Sequence, residues 1–158
     1  MSKILVSYFS ATGTTKALAE RLAKAAGADI FEITPVCPYT AADLEWRNPN
    51  SRSSLEMRDV SSRPQITGRV GEISDYDTIF VGFPIWWYTA PTIINTFLEQ
   101  YDLSEKKVVP FATSGSSDWT KKANDSLAPS CADANLVMGK RFTANASENE
   151  LKQWVDTL

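Results

Sequence analysis

A doubly wound α/β fold, with a five-stranded parallel sheet in the order 2-1-3-4-5 and helices on both faces, is what this sequence predicts. Three observations predict it. Ile4 to Phe9 and Thr78 to Phe83 are continuous apolar runs, as in strands covered on both sides. Strand and helix patterns alternate along the chain, and right-handed crossovers turn that alternation into a parallel sheet between two helical layers. The loop after the first run carries four hydroxyls around one glycine and opens onto a helix, where such sheets bind ligands.

The elements follow in order. Ile4 to Phe9 is the first strand, and Leu18, Leu22 and Ala25 mark the buried stripe of the helix after it. Asp29 to Ile33 alternates polar and apolar residues, so the second strand lies at an edge. Thr78 to Phe83 is the third strand, followed by a helix carrying Ile93, Ile94, Phe97, Leu98 and Tyr101 on one side. Val108 to Ala112, interrupted by Pro110, is the fourth, and the short Leu136 to Met138 is the fifth, at the other edge. Leu151, Trp154, Val155 and Leu158 give the last helix. The competing architecture is an α+β fold.

Pro35 to Asp75 exceeds the usual loop length between strands. It holds four prolines, candidate short helices at Ala41 to Trp46 and Ser53 to Arg58, and arginines at 47, 52, 58, 63 and 69. Two readings stand: a solvated charged face, or a lid or docking surface beside the ligand.

A length of 158 residues fits one domain, taken as 1–158. The net charge of -3 argues against a nucleic-acid partner, since domains built on phosphate-backbone contacts are usually basic. The chain has no histidine, which removes Ser-His-Asp and Cys-His nucleophile pairs and nearly every catalytic zinc site. Cys37 and Cys131 are too few for a thiolate-ligated metal or a disulfide framework. No metal is expected. The longest apolar stretch, Ile79 to Tyr88, falls short of a membrane span, and no signal-peptide pattern opens the chain. The expectation is a cytoplasmic protein without a membrane partner.

The ligand crevice of this strand order lies between strands one and three. Ser10-Ala11-Thr12-Gly13-Thr14-Thr15, at a helix N-terminus, offers amide N–H groups and hydroxyls to a phosphate. One or two of these hydroxyls would suffice merely to cap the helix. Other phosphate loops fail by inspection, since neither G-x-x-x-x-G-K-[ST] nor G-x-G-x-x-G occurs. After the third strand come Pro84, Ile85, Trp86, Trp87 and Tyr88, three consecutive aromatics that cannot all be core. They would stack on a flat aromatic ligand, or else pack an interface or the first helix. After the fourth strand, Thr113, Ser114, Gly115, Ser116 and Ser117 offer backbone groups to that ligand's edge.

Ser10-x-Thr12-Gly13-x-Thr15 resembles the phosphate loop of flavodoxins, and the aromatic and Gly-Ser loops resemble the two that grip their flavin. The resemblance covers essentially the whole chain, and the Pro-x-Trp-Trp motif is similar to that of a short flavodoxin-like branch. It implies a flavodoxin-like three-layer sandwich binding FMN through the loop residues just named, with no catalytic side chain. It implies electron transfer between a reductase and redox enzymes, by a monomer or weak homodimer. The alternative is an FMN-dependent NAD(P)H:quinone-type oxidoreductase. The chain is only mildly acidic, unlike the best-studied flavodoxins. Pro84 to Ala90 also lacks the glycine that those proteins commonly place beside the flavin, so a turn that required positive φ there would cost an ordinary residue roughly 1–2 kcal/mol.

Overall fold

In a computed structural model, which describes residues 3–114, 118–119 and 121–158, the sheet is built around three parallel strands. They are β1 (Lys3–Tyr8), β5 (Tyr76–Pro84) and β6 (Lys107–Thr113). The other elements are α1 (Thr14–Ala26), β2 (Asp29–Glu32), β3 (Thr34–Pro35), α2 (Arg52–Arg58), β4 (Ile66–Thr67), α3 (Thr92–Glu99), α4 (Lys121–Leu127), β7 (Asn135–Leu136), β8 (Lys140–Phe142) and α5 (Glu148–Asp156). The main sheet runs β2-β1-β5-β6-β7, with β8 also against β6. Counting β7 and β8 as one edge position, this is the expected 2-1-3-4-5 order, and helices cover both faces.

Alternate side chains of the three central strands enter opposite layers, which is why their sequences run apolar without interruption. Leu5, Ile79 and Val108 stand in register and pack with Ile93, Ile94, Phe97 and Leu98 of α3 on one face. Their neighbours Val6, Phe80 and Val109 pack with Leu18 and Leu22 of α1 and Leu151 and Trp154 of α5 on the other. Ser7, in register with Val81, is the polar residue buried in β1, and its hydroxyl donates to the Phe80 carbonyl at 2.7 Å.

The far edge differs from the expected single strand at Leu136 to Met138. β7 pairs with Lys107 and Val108, β8 pairs with Phe111 to Thr113, and the chain leaves the ladder between them. That interruption falls opposite Val109 and Pro110. Proline has no N–H to donate, so a strand edge there is where a ladder breaks most cheaply. Gly139 lies in the gap, and the Trp119 ring occupies the space a β-carbon would need, 2.2 Å from its ideal position.

α4 was not legible from periodicity, because Lys-Lys-Ala-Asn-Asp-Ser-Leu shows almost no apolar stripe. Only Ala123 and Leu127 are buried apolar anchors, and a polar side chain adds to their hold. The Asn124 amide accepts from Trp119 Nε1 and from the Gly139 N–H, each at 2.9 Å, and donates to the Val137 carbonyl at 2.8 Å.

The segment 35–75 is ordered by its base and its flank. β3 and β4 pair antiparallel at Thr34–Thr67 and Pro35–Ile66. Arg63 reaches Glu99 at 2.9 Å, and Arg69 donates to the Gln100 carbonyl at 2.8 Å, which ties the return path to the end of α3. The candidate helix Ser53 to Arg58 forms as α2, capped by Ser51, whose hydroxyl accepts the Ser54 N–H. The candidate at Ala41 to Trp46 is a turn, closed where Thr40 and Asp43 exchange side-chain to backbone hydrogen bonds. Among the described residues no helix is long and apolar enough to cross a membrane, and no group of three metal-ligating side chains forms.

Gly82 on β5 faces Phe111, whose ring atoms come within 2.2 Å of an ideal β-carbon. Gly82→Ala should therefore overpack the sheet and cost about 1–3 kcal/mol. Denaturant unfolding checks this: the midpoint should fall while the slope stays that of the parent.

A candidate ligand cleft at the carboxyl edge of the sheet

The strand ends of β1, β5 and β6 meet around Thr113. This residue is 5% exposed, its carbonyl accepts the Ile85 N–H at 3.2 Å, and its hydroxyl lies 2.8 Å from that of Thr15. One side chain and its own backbone thus tie the loop after β5 and the first turn of α1 to the end of β6. The next residue, Ser114, donates its N–H to the Phe142 carbonyl of β8.

The loop after β1 divides its four hydroxyls between two tasks. Ser10 accepts the Gly13 N–H at 3.0 Å and shapes the turn, while the buried Thr15 bonds Thr113. Thr12 and Thr14 stay exposed. None of the four caps α1, because the N-cap position is Gly13, at φ 94°, and no side chain accepts from the first turn. A glycine suits that left-handed backbone. The open amides and the positive end of the helix dipole remain available to an anion.

The loop after β5 is a two-residue hairpin turn. Trp86 and Thr89 exchange N–H···O bonds of 3.0 Å in both directions, with Trp87 and Tyr88 at the tip at φ 49° and 66°. Positive φ at both central residues marks a type I′ turn, for which Asn-Gly is the usual choice. Two aromatics hold that backbone here, and a left-handed L-residue costs roughly 1–2 kcal/mol. Local strain of this kind concentrates at functional sites. The missing glycine has therefore not prevented the positive φ.

Trp86 is half-buried and fixed by aromatic contacts, edge-on to Phe9 with centroids 5.8 Å apart and to Tyr39 at 5.6 Å. Tyr39 is in turn clamped by α2. Its hydroxyl donates to Glu56 at 2.5 Å, the Arg52 guanidinium sits 3.8 Å from its ring centre, and Arg52 pairs with Glu56 at 2.9 Å. Burial, and then the hydrogen bond to the Glu56 carboxylate, push the Tyr39 hydroxyl well above the usual phenol range, so it stays a donor.

Between these loops lies a cleft of about 670 Å³. Of the residues expected to bind ligand, Ala11, Thr12, Pro84, Ile85, Trp86, Trp87, Tyr88 and Ser114 line it. Ser10, Gly13 and Thr14 shape the helix start beside it, and Thr15 and Thr113 support it from beneath. Gly115, Ser116 and Ser117 lie outside the described residues. Leu44, Trp46 and Ser53 complete the lining and were not among the expected residues. The sequence signal was a tryptophan, Trp46, on an overlong arginine-bearing segment, but only the folding of that segment over the strand ends assigns it to this cleft.

The arrangement suits an elongated ligand with an anionic end at α1 and a flat ring against the aromatic turn. Its volume falls within the ~300–1,000 Å³ typical of small-molecule and cofactor sites. A family model described as Flavodoxin matches residues 3–158. The crystal structure of a putative flavoprotein from Bacteroides eggerthii DSM 20697 is 47% identical, with 99% of this chain and 98% of that one covered at a TM-score of 0.93. A flavoprotein from Lactobacillus acidophilus NCFM, solved in complex with FMN, shares the fold at 21% identity, with 98% and 99% covered and a TM-score of 0.73. The Uncharacterized NAD(P)H oxidoreductase YcaK of Escherichia coli (strain K12) is 29% identical over 56 residues, and this match takes in 35% of the chain but only 24% of that protein. With three strand-end loops gathered on one cleft and a family match running from the first described strand to the last residue, the chain belongs to the flavodoxin family.

Proposed function

We propose that residues 1–158 act as one FMN-binding domain that relays electrons between a reductase and redox enzymes. The observation that carries this reading is the uncapped N-terminus of α1, opening beside Thr12 at one end of a cleft whose other wall is the Trp86–Tyr88 turn. FMN matches that polarity, a phosphate monoester at one end and a flat conjugated ring at the other. Bound FMN supplies the electron-transfer chemistry, and the protein supplies position and electrostatics.

The residues divide the work by their placement. Thr12, Thr14 and the first-turn amides of α1 hold the phosphate, whose charge the helix dipole favours. Trp87 and Tyr88 present aromatic faces to the ring, while Trp86, wedged on Phe9 and Tyr39, sets the position of the turn. Ser114 and the following Gly115 to Ser117 supply the ring's polar edge. The partners of this reading are redox proteins in a cytoplasmic setting, served by a monomer or weak homodimer.

A second reading, an FMN-dependent oxidoreductase that takes hydride from NAD(P)H and reduces a quinone-like acceptor, is favoured by the wall that Leu44 and Trp46 add to the cleft. A wall beyond the loops of the strand ends makes room for a small substrate next to the cofactor. Steady-state NAD(P)H oxidation by the FMN-loaded protein separates the two. Turnover that needs only a quinone supports the enzyme, and turnover that needs an added reductase supports the carrier.

FMN should bind the purified protein far more tightly than riboflavin does, and Thr12→Ala should weaken FMN by about 1.5–3 kcal/mol, roughly tenfold to over a hundredfold. Equal affinity for the two flavins in fluorescence titrations would remove the phosphate site.

Thr113→Val keeps the shape of the side chain but strands the buried Thr15 hydroxyl. The expected cost is about 1–3 kcal/mol of unfolding free energy, together with weaker FMN binding as the first turn of α1 loosens. Chemical denaturation of the apoprotein measures the first effect and FMN titration the second. Wild-type values in both would show that the junction is dispensable.

A further inference from the structure

The arginines of segment 35–75 are not equivalent. Arg52 pairs with Glu56, Arg63 pairs with Glu99, and Arg69 donates to the Gln100 carbonyl and lies over the Tyr101 ring. Arg47 and Arg58, both exposed, take part in no ion pair among the described residues. These two share one place. They line a second pocket of about 250 Å³, together with Trp46, Trp87 and Met57. Trp46 and Trp87 also line the larger cleft, so the two cavities share a pair of indoles.

The chemistry of this pocket is legible from its walls. The Arg47 guanidinium lies 5.0 Å from the centre of the Trp46 ring, and Arg58 is oriented by its bond to the Pro49 carbonyl at 2.5 Å. A guanidinium carries five donors, so both keep several for a ligand. Planar, weakly hydrated and permanently charged, such groups recognise carboxylates through paired N–H···O bonds. Indole faces take a flat ring. The volume lies below the ~300–1,000 Å³ of sites for drug-sized ligands, which suits a small ring system with one acidic substituent and excludes a dinucleotide. A concave site of this size does not suit the broad, flat contact of a protein partner.

We propose that this pocket binds a small planar organic carboxylate, seated against Trp46 and Trp87 with its acid group between Arg47 and Arg58. Its role as the substrate seat of the FMN-bearing cleft rests on the flavin reading above, whereas the binding itself does not.

The test is a calorimetric titration of naphthalene-2-carboxylate and of its uncharged counterpart naphthalene-2-carboxamide into FMN-loaded protein and apoprotein. The carboxylate should bind both forms at least about tenfold more tightly, as charge-assisted hydrogen bonds imply. In the double variant Arg47→Gln, Arg58→Gln the preference should vanish while FMN affinity stays that of the parent, and Arg47→Lys, Arg58→Lys should recover part of it. Circular dichroism confirms that the variants fold. Equal affinity for the two probes, or a preference that survives the double Gln variant, overturns the proposal. So does a double variant that binds the probes normally but is reduced more slowly by an electron-donating protein, which would make these arginines a protein dock. A chain that takes up no FMN would defeat the flavin reading, and the apoprotein titration would still decide the pocket.

Discussion

The bonds of Thr113 hold together the cleft on which function depends. Three parallel strands end at the same edge, but parallel pairing alone does not fix the loops that leave them. The Thr113 carbonyl captures Ile85 at the root of the aromatic turn, and its hydroxyl captures Thr15 in the first turn of α1. The hydroxyl pair is buried, so removing either partner leaves a polar group without water to replace it. The uncapped start of α1 and the aromatic wall are in consequence held on one cleft from a common residue.

A second tier of support reaches the cleft from α2. Arg52 and Glu56 hold Tyr39, Tyr39 and Phe9 hold Trp86, and Trp86 anchors the turn that carries Trp87 and Tyr88 at positive φ. The strain of that turn persists because its base is over-determined by packing and by the two reciprocal Trp86–Thr89 bonds. The long segment 35–75 is therefore part of the site's architecture, with its arginines divided between holding the fold and facing the second pocket.

The central sheet shows how far pattern carries. Strands buried on both faces must be apolar throughout, so β1, β5 and β6 stood out as runs, and the 2-1-3-4-5 order followed from which strands were inner and which were edges. Edge structure obeyed other terms. The break between β7 and β8 depends on Pro110 in the neighbouring strand and on the Trp119 ring over Gly139, both tertiary relations. α4 carries too short an apolar pattern to mark it in the sequence, since only Ala123 and Leu127 of its seven residues are buried apolar side chains and the hydrogen bonds of Asn124 add to their hold.

By itself the sequence determined the fold class, the position of the loops at the strand ends and the character of each loop. Those properties depend on local residue type and on period, and both are written along the chain. Tertiary structure decided which loop residues face the cleft and which support it. Thr12 and Thr15 belong to one motif, yet one lines the cleft and the other is buried against a strand far away in sequence. It also decided that Leu44, Trp46 and Ser53 form a wall, and that Arg47 and Arg58 differ from Arg52 and Arg63. The physical reason is the same in each case: a side chain's role here depends on partners distant in sequence, and only the folded chain brings those partners within hydrogen-bonding or stacking distance.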